Sequence, residues 1–256
     1  MTVKRLCLVA ASFAIGLSVA FSAVRAEDAL FNDAQKQEMH KIIRDYLVQN
    51  PNVLREAIEA LEKQAQEQEL ARSREGIKQN ADLVYRSKRG FVFGNPDGNV
   101  TVVEFFDYNC GFCKRSLDDI LALVKADPDL KLILKEFPIL GEGSVFAARA
   151  AIASKKQDKY WDLHLAMMQH RGALDETATI AIAKQVGLDI DQLRKDMDDD
   201  EVAATINESM QLAQAVGING TPAFIIDDRL IPGALGLDTM QSQIAEIRKN
   251  GGCAVC

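Results

Sequence analysis

Cysteine, histidine, tryptophan and positive charge are all in short supply here. Five cysteines in 256 residues are too few to staple a chain of this size, so a hydrophobic core has to hold it. The three histidines, His40, His164 and His170, stand apart from one another, and none is assigned catalysis or a metal. Trp161 keeps company with Tyr160, Leu163 and Met167 at helical spacing and reads as core. Thirty basic residues stand against 37 acidic ones. Without a basic face, nucleic acid is excluded as a partner. Only one long apolar run exists, Leu6 to Val24, and nothing after it is apolar enough to cross a membrane.

That run follows Lys4 and Arg5 and ends at Val24-Arg25-Ala26 before Glu27-Asp28. This is the pattern of a secretory signal peptide over residues 1–26, cleaved near Ala26. An uncleaved anchor is the rival, weakened by Ala10, Ala11, Ser12, Ala14, Gly16 and Ser18 inside the run. Cleavage removes Lys4, Arg5, Arg25 and Cys7 and no acid, leaving a net charge of −10. The four remaining cysteines form two C-x-x-C pairs, Cys110/Cys113 and Cys253/Cys256. Export to an oxidising space, the periplasm, suits disulfide chemistry.

Residues 27–89 read as an N-terminal helical segment and linker. Asn32 or Asp33 caps a first helix with Met39, Ile42, Ile43, Tyr46 and Leu47 as its apolar positions. Asn50-Pro51 ends it and starts a second, whose Leu54, Ile58, Leu61 and Ala65 keep heptad-like spacing over about two heptads. Gln64 to Arg74 is nearly all polar, and Gly76 follows. The segment either packs on the main domain or is an oligomerisation arm, residues 27–75, joined by a polar linker. The stripe has no obvious partner within its own segment, which favours the arm and a homo-oligomer.

The organising stretch is Val100 to Ile120. Val100, Thr101, Val102, Val103, Phe105 and Phe106 read as a buried strand. Asp107, Tyr108 and Asn109 turn the chain, and Leu117, Ile120, Leu121 and Val124 then recur at helical spacing. Cys110 therefore falls near a helix N-cap and Cys113 about one turn inside. Three helical steps bring their Cα atoms into the ~4.4–6.8 Å range of a disulfide. Free N–H groups and the helix dipole favour a thiolate at that end. The pair reads as a reversible dithiol/disulfide that needs no cofactor and no metal. Cys110 is expected to be the exposed nucleophile and Cys113 the buried resolving thiol. Half a zinc site is the rival, but Cys253/Cys256 lies too far along the chain for zinc-ribbon spacing. Glu104 sits on the buried strand. Turned inward it has a raised pKa and a proton-transfer role with Cys113; turned outward it has neither.

A second strand spans Leu130 to Phe137. Residues 144–216 hold about five helices, with Gly187 and Gly217 suited to C-caps. Ala223–Ile226 and Arg229–Ile231 make a hairpin, and Leu237–Lys249 a last helix. Strand–helix–strand implies a parallel pair and the hairpin an antiparallel edge. The result is a mixed α/β sheet with a helical insertion over residues 90–249. Residues 250–256 form a short, flexible tail. Its Cys253/Cys256 pair allows a surface disulfide, a second redox pair relaying electrons to Cys110/Cys113, or a Cu(I) site.

Three features together resemble the DsbA family of the thioredoxin superfamily: Glu104-Phe-Phe-Asp-Tyr-Asn-Cys110-Gly-Phe-Cys113, the insertion, and Gly220-Thr221-Pro222-Ala-Phe-Ile-Ile. Tyr46-Leu-Val-Gln-Asn-Pro51 is similar to the N-terminal segment of ScsC-like members, some of which assemble through it. The resemblance implies a thioredoxin fold with a helical insertion and an N-terminal helical segment. It implies disulfide exchange with unfolded or misoxidised exported proteins, and a membrane or soluble partner that recycles the site. It also implies that Pro222 is cis and faces the cysteines, with Phe112, Thr221 and Pro222 meeting substrate. Gly111 and Phe112 carry no charge, whereas family members with a histidine at the second place have an extra thiolate stabiliser. Thr221 resembles isomerase-leaning members, so oxidase and isomerase directions both stay open. The reading from a different class is a copper- or zinc-binding or chaperone-like module that uses its thiols as ligands.

Overall fold

The structure, a computed structural model, describes residues 31–256. The expected signal peptide and its cleavage near Ala26 lie outside the described residues. The chain divides into a first unit ending at Glu59 and a second from Ala60 to Cys256.

In the first unit, helix α1 (Asp33–Gln49) is entered through a capping box. Asn32 Oδ1 accepts the Gln35 N–H at 2.9 Å, and Gln35 Oε1 accepts the Asn32 N–H at 2.9 Å. Such a cap stabilises a helix by about 1 kcal/mol. α1 buries none of its residues: Ile42, Ile43, Tyr46 and Val48 are all exposed. Helix α2 (Pro51–Gln79) starts on Pro51, as expected, and adds exposed Val53, Leu54 and Ile58.

In the second unit α2 carries on where a linker was expected. Residues 64–79 are helical, and Ser73, Gly76 and Ile77 are buried. Gly76 marks a close approach and not a break: a Cβ there would stand 2.5 Å from the carbonyl oxygen of Ala215. Ser73 Oγ donates to the Val216 carbonyl at 2.9 Å. A π-helical turn, Asp82–Arg86, follows and buries Val84 and Tyr85.

Five strands make one sheet in the order β1-β3-β2-β4-β5: β1 (Phe91–Gly94), β2 (Val100–Phe106), β3 (Leu130–Glu136), β4 (Ala223–Ile226) and β5 (Arg229–Pro232). β2 and β3 are parallel, and the other pairs are antiparallel. Helix α3 (Gly111–Ala126) makes the crossover. The insertion holds α4 (Glu142–Ser154), α5 (Tyr160–Gln169), α6 (Glu176–Gln185), α7 (Ile190–Met197) and α8 (Asp200–Val216); α9 (Leu237–Lys249) closes the domain. Gly217 ends α8 at φ +84°, the left-handed cap its lack of a Cβ permits.

β2 is buried along its whole length, which explains why its residues are apolar apart from Thr101 and Glu104. Side chains alternate between its faces. Val102 and Phe106 enter the core under α3, α5 and α9, while Val103 and Phe105 enter a second core with Ile77, Val84, Leu212 and Val216. Trp161 does join β1 to the insertion, its ring stacked 3.8 Å from that of Phe93.

Candidate functional site

Cys110 is the N-cap of α3, with an extended backbone (φ −77°, ψ 110°). Its Sγ accepts the N–H of Cys113 at 3.1 Å and lies 3.3 Å from the Thr221 carbonyl oxygen, to which its S–H donates. Both cysteines are free thiols. The expectation of an exposed Cys110 needs correcting, since it is only 4% exposed, closed over by the loop of Thr221. Cys113 is fully buried.

The two thiols are polarised in opposite directions. The Cys113 side chain, the Thr221 side chain and the backbone N–H groups of Cys113 and Phe112 all hydrogen-bond Cys110. They bring its pKa down from 9.0 to about 6 against the cost of burial. Cys113 moves upward, through burial first and the hydrogen bond to Cys110 second. One thiol is thus ready to act as thiolate at neutral pH, while the other keeps its proton.

Glu104 points inward. It is 2% exposed, and its Oε1 has no hydrogen-bond partner. Burial, then the charge of Cys110, pushes it up from 4.5 to about 8. Its charge in turn raises Cys113, so the acid and the buried thiol sense each other.

Thr221 and Pro222 come to Cys110 from the start of β4, and the bond between them is cis. Phe112, 59% exposed, stands across a groove from them. The groove has a volume of about 360 Å³ and is walled further by Ile218, Leu230 and Pro232. The structure therefore brings together Cys110, Cys113, Glu104, Phe112, Thr221 and Pro222.

The tail is placed elsewhere and is not loose. Cys253 and Cys256 form a disulfide with Cα atoms 5.6 Å apart. The N–H groups of Ala254 and Val255 donate to Asp227 Oδ1 at 2.8 and 3.3 Å, and Val255 packs on the second core. Asp227 follows β4, whereas Pro222 precedes it. The length of that strand, roughly 13 Å at its rise per residue, separates the two cysteine pairs. In this arrangement they neither touch nor share a metal.

Sequence reading missed Asp107 and Asn109. The Asp107 carboxylate is buried and takes four donors: the N–H groups of Asn109, Ile139 and Leu140 and the hydroxyl of Ser144, at 2.7–3.0 Å. Asn109 clasps Leu174, accepting its N–H at 2.6 Å and donating to its carbonyl at 3.0 Å. Together they fix the Cys110 loop to the insertion. An acid three residues before a C-x-x-C and an amide directly before it were the available signal. Arg115 was missed as well; its guanidinium lies 4.2 Å over the Phe112 ring.

Residues 101–245 match the DSBA-like thioredoxin domain. Residues 35–68 match the N-terminal domain of the copper resistance protein ScsC. A thioredoxin-like oxidoreductase from Silicibacter pomeroyi is 48% identical, with 66% of this chain and 97% of that chain covered and a TM-score of 0.65. A linker-deletion mutant of ScsC from Proteus mirabilis is 28% identical over 87% of this chain and 99% of its own, with a TM-score of 0.66. Disulfide bond formation protein D of Bacillus subtilis is 26% identical over 60% of this chain and 74% of its own. The chain spans only about a quarter of the length of other curated relatives, covering 24% of the Na(+)/H(+) antiporter NhaA 1 of Salinispora arenicola. The cysteine junction, the insertion and the Thr-Pro loop all fall within one matched domain, and the chain belongs to the DsbA-like family of thioredoxin-fold thiol–disulfide oxidoreductases.

Proposed function

We propose that this protein is exported to the periplasm and exchanges disulfides with other proteins there through Cys110 and Cys113. The observation that carries the reading is the Cys110 sulfur at the mouth of α3, taking the Cys113 N–H and facing Thr221. Donating a disulfide runs as follows. A substrate thiolate attacks Cys110 Sγ of the oxidised pair, the Cys110–Cys113 bond breaks, and Cys113 leaves as thiolate and takes the proton of Glu104. A second substrate thiolate attacks the substrate sulfur of the mixed disulfide, and Cys110 leaves. A sulfur whose pKa is about 6 is a good leaving group. In shuffling, the Cys110 thiolate attacks a substrate disulfide first and a substrate thiolate later displaces it. Glu104 then takes the Cys113 proton whenever Cys113 resolves the adduct. The groove of Phe112, Thr221 and Pro222 receives the substrate chain. A membrane or soluble redox partner restores the starting state.

A Cys113→Ser variant tests the function. It is expected to accumulate covalent adducts with scrambled, disulfide-containing protein substrates, one substrate thiolate leaving as each adduct forms; the adducts are released by added thiol and visible on non-reducing gels. Absence of adducts from a folded variant would overturn the reading.

The arm is proposed to make a homo-oligomer. Ile42, Ile43, Tyr46, Leu54 and Ile58 are exposed, an apolar surface that monomers rarely leave bare. Truncation belongs just before Ala60 and not at residue 75, because Ser73, Gly76 and Ile77 are buried in the second unit. The truncated protein is expected to have the mass of a monomer by light scattering and an altered rate of scrambled-ribonuclease refolding. An unchanged oligomeric mass would refute the arm.

A further inference from the structure

Glu104 has a counterpart. β3 ends on a second buried acid, Glu136, which pairs with Phe106, while Glu104 pairs with Leu134. Residues two apart on a strand share a face. Glu104 and Glu136 therefore lie on the same face of the β2/β3 pair, one diagonal step apart, under α3 and α5.

Glu136 is 3% exposed. Its Oε1 accepts the hydroxyl of Tyr108 at 3.0 Å and that of Tyr160 at 2.8 Å. Tyr108 comes from the loop that carries Cys110, and Tyr160 from α5 of the insertion. The Tyr108 oxygen also lies 3.1 Å from His164 Nδ1. With both hydroxyls given to Glu136, the fitting histidine tautomer donates its Nδ1–H to Tyr108. Burial keeps that imidazole neutral, pushed down to about 3. Lys155, whose Nζ donates to the Arg89 carbonyl at 2.8 Å, and the fully bonded Asp107 are the remaining charges that act on Glu136, with opposite signs.

Two observations connect this cluster to the reaction. Each acid keeps one buried oxygen without a partner, Oε1 of Glu104 and Oε2 of Glu136. A lone buried polar atom of this kind costs about 1–3 kcal/mol. Second, Tyr160, whose hydroxyl donates to Glu136, belongs to the same buried core as Val102, Phe106 and Leu134, which surround Glu104 on that face of the sheet. Burial pushes Glu136, like Glu104, up to about 8. Two acids with such similar hold on a proton, placed one diagonal step apart on one buried face, can pass it between them with little energetic bias.

We propose that Glu136, held by Tyr108 and Tyr160, is a positioning residue for proton transfer at Cys113, forming with Glu104 a buried acid pair that shares one titration. The step it serves is resolution of the mixed disulfide. Cys113 Sγ attacks Cys110 Sγ, its proton goes to the Glu104 carboxylate, the new S–S bond forms, and the substrate sulfur leaves as thiolate. Glu136 touches none of the reacting atoms. Its proton state governs when Glu104 is free to accept. The inference rests on the exchange activity proposed above.

The test is Glu136→Gln in the full chain, with Tyr160→Phe beside it. Glutamine keeps the acceptor for both tyrosines, and phenylalanine keeps the acid. In the oxidised wild type, infrared spectra are expected to show two buried protonated carboxyls titrating together. Glu136→Gln is expected to remove one band and shift the midpoint of the other, and to move the pH profile of mixed-disulfide resolution by the same amount. Tyr160→Phe keeps both bands and separates their midpoints. A merely structural Glu136 would alter thermal stability and leave the band of Glu104 and the rate profile on the wild-type curves. That result overturns the inference while exchange itself survives; loss of adducts in Cys113→Ser would instead overturn the underlying function.

Discussion

Cys110→Ser is expected to lower exchange with insulin or a reduced protein substrate by about 10³-fold or more, the scale on which removal of a reacting nucleophile acts. The size follows from the division of labour at the helix mouth. Cys113 cannot stand in, because burial raises its pKa and the Cys110 loop shields it from the groove. The same variant erases a titration. Reduced wild-type protein should show thiolate ultraviolet absorbance with a midpoint at pH about 6, absent from Cys110→Ser. Stability carries the same signature. Between pH 6 and 9 the unfolded chain holds a proton on Cys110 that the folded chain has given up. The reduced protein therefore gains stability as pH rises across that window and loses it as pH falls through about 6. Stabilising the reduced form makes the disulfide the better donor. A midpoint near 9, or exchange that survives in Cys110→Ser, would sink the assignment of Cys110.

The parts legible in the sequence were those written in local pattern. β2 is an apolar run because both its faces are buried, and Cys110 is readable as a cap because turn residues precede it and helical spacing follows. What stayed hidden depends on partners far along the chain. Gly76 looks like a helix breaker, yet its missing Cβ lets α2 approach Ala215 and Val216. The tail looks loose until Asp227 is found beneath its N–H groups. Asp107 looks like a turn former, and its four donors come mostly from residues 139–144. His164 looks isolated and Glu136 looks like the polar end of a strand, but the insertion folds both onto Tyr108. Long-range hydrogen bonds leave no periodicity, so burial of a polar residue is the last thing a sequence reveals.

Glu104→Gln is expected to stabilise the oxidised protein and slow it as an enzyme. In the oxidised form Cys110 and Cys113 do not titrate, so the acid is seen without them. Burial, the larger cause of its rise from 4.5, persists when the charge of Cys110 is absent, so the folded chain holds a proton that the unfolded chain loses above that value. Wild-type stability should then fall as pH rises above about 4.5, by about 1.4 kcal/mol per unit at most. Glutamine cannot ionise, so the variant should match wild type near pH 4 and exceed it at pH 7, measured by denaturant unfolding. Rate moves the other way. Resolution of a mixed disulfide by Cys113 needs a proton acceptor inside the core, and loss of a positioned base costs about 10²-fold or more. Stopped-flow decay of a preformed adduct at pH 8, where Glu104 without the charge of Cys110 beside it is at least about half ionised, reads that loss directly. If Glu104→Gln leaves both the pH slope of stability and the decay rate at wild-type values, the acid carries no proton for Cys113 and the mixed disulfide is resolved by solvent alone.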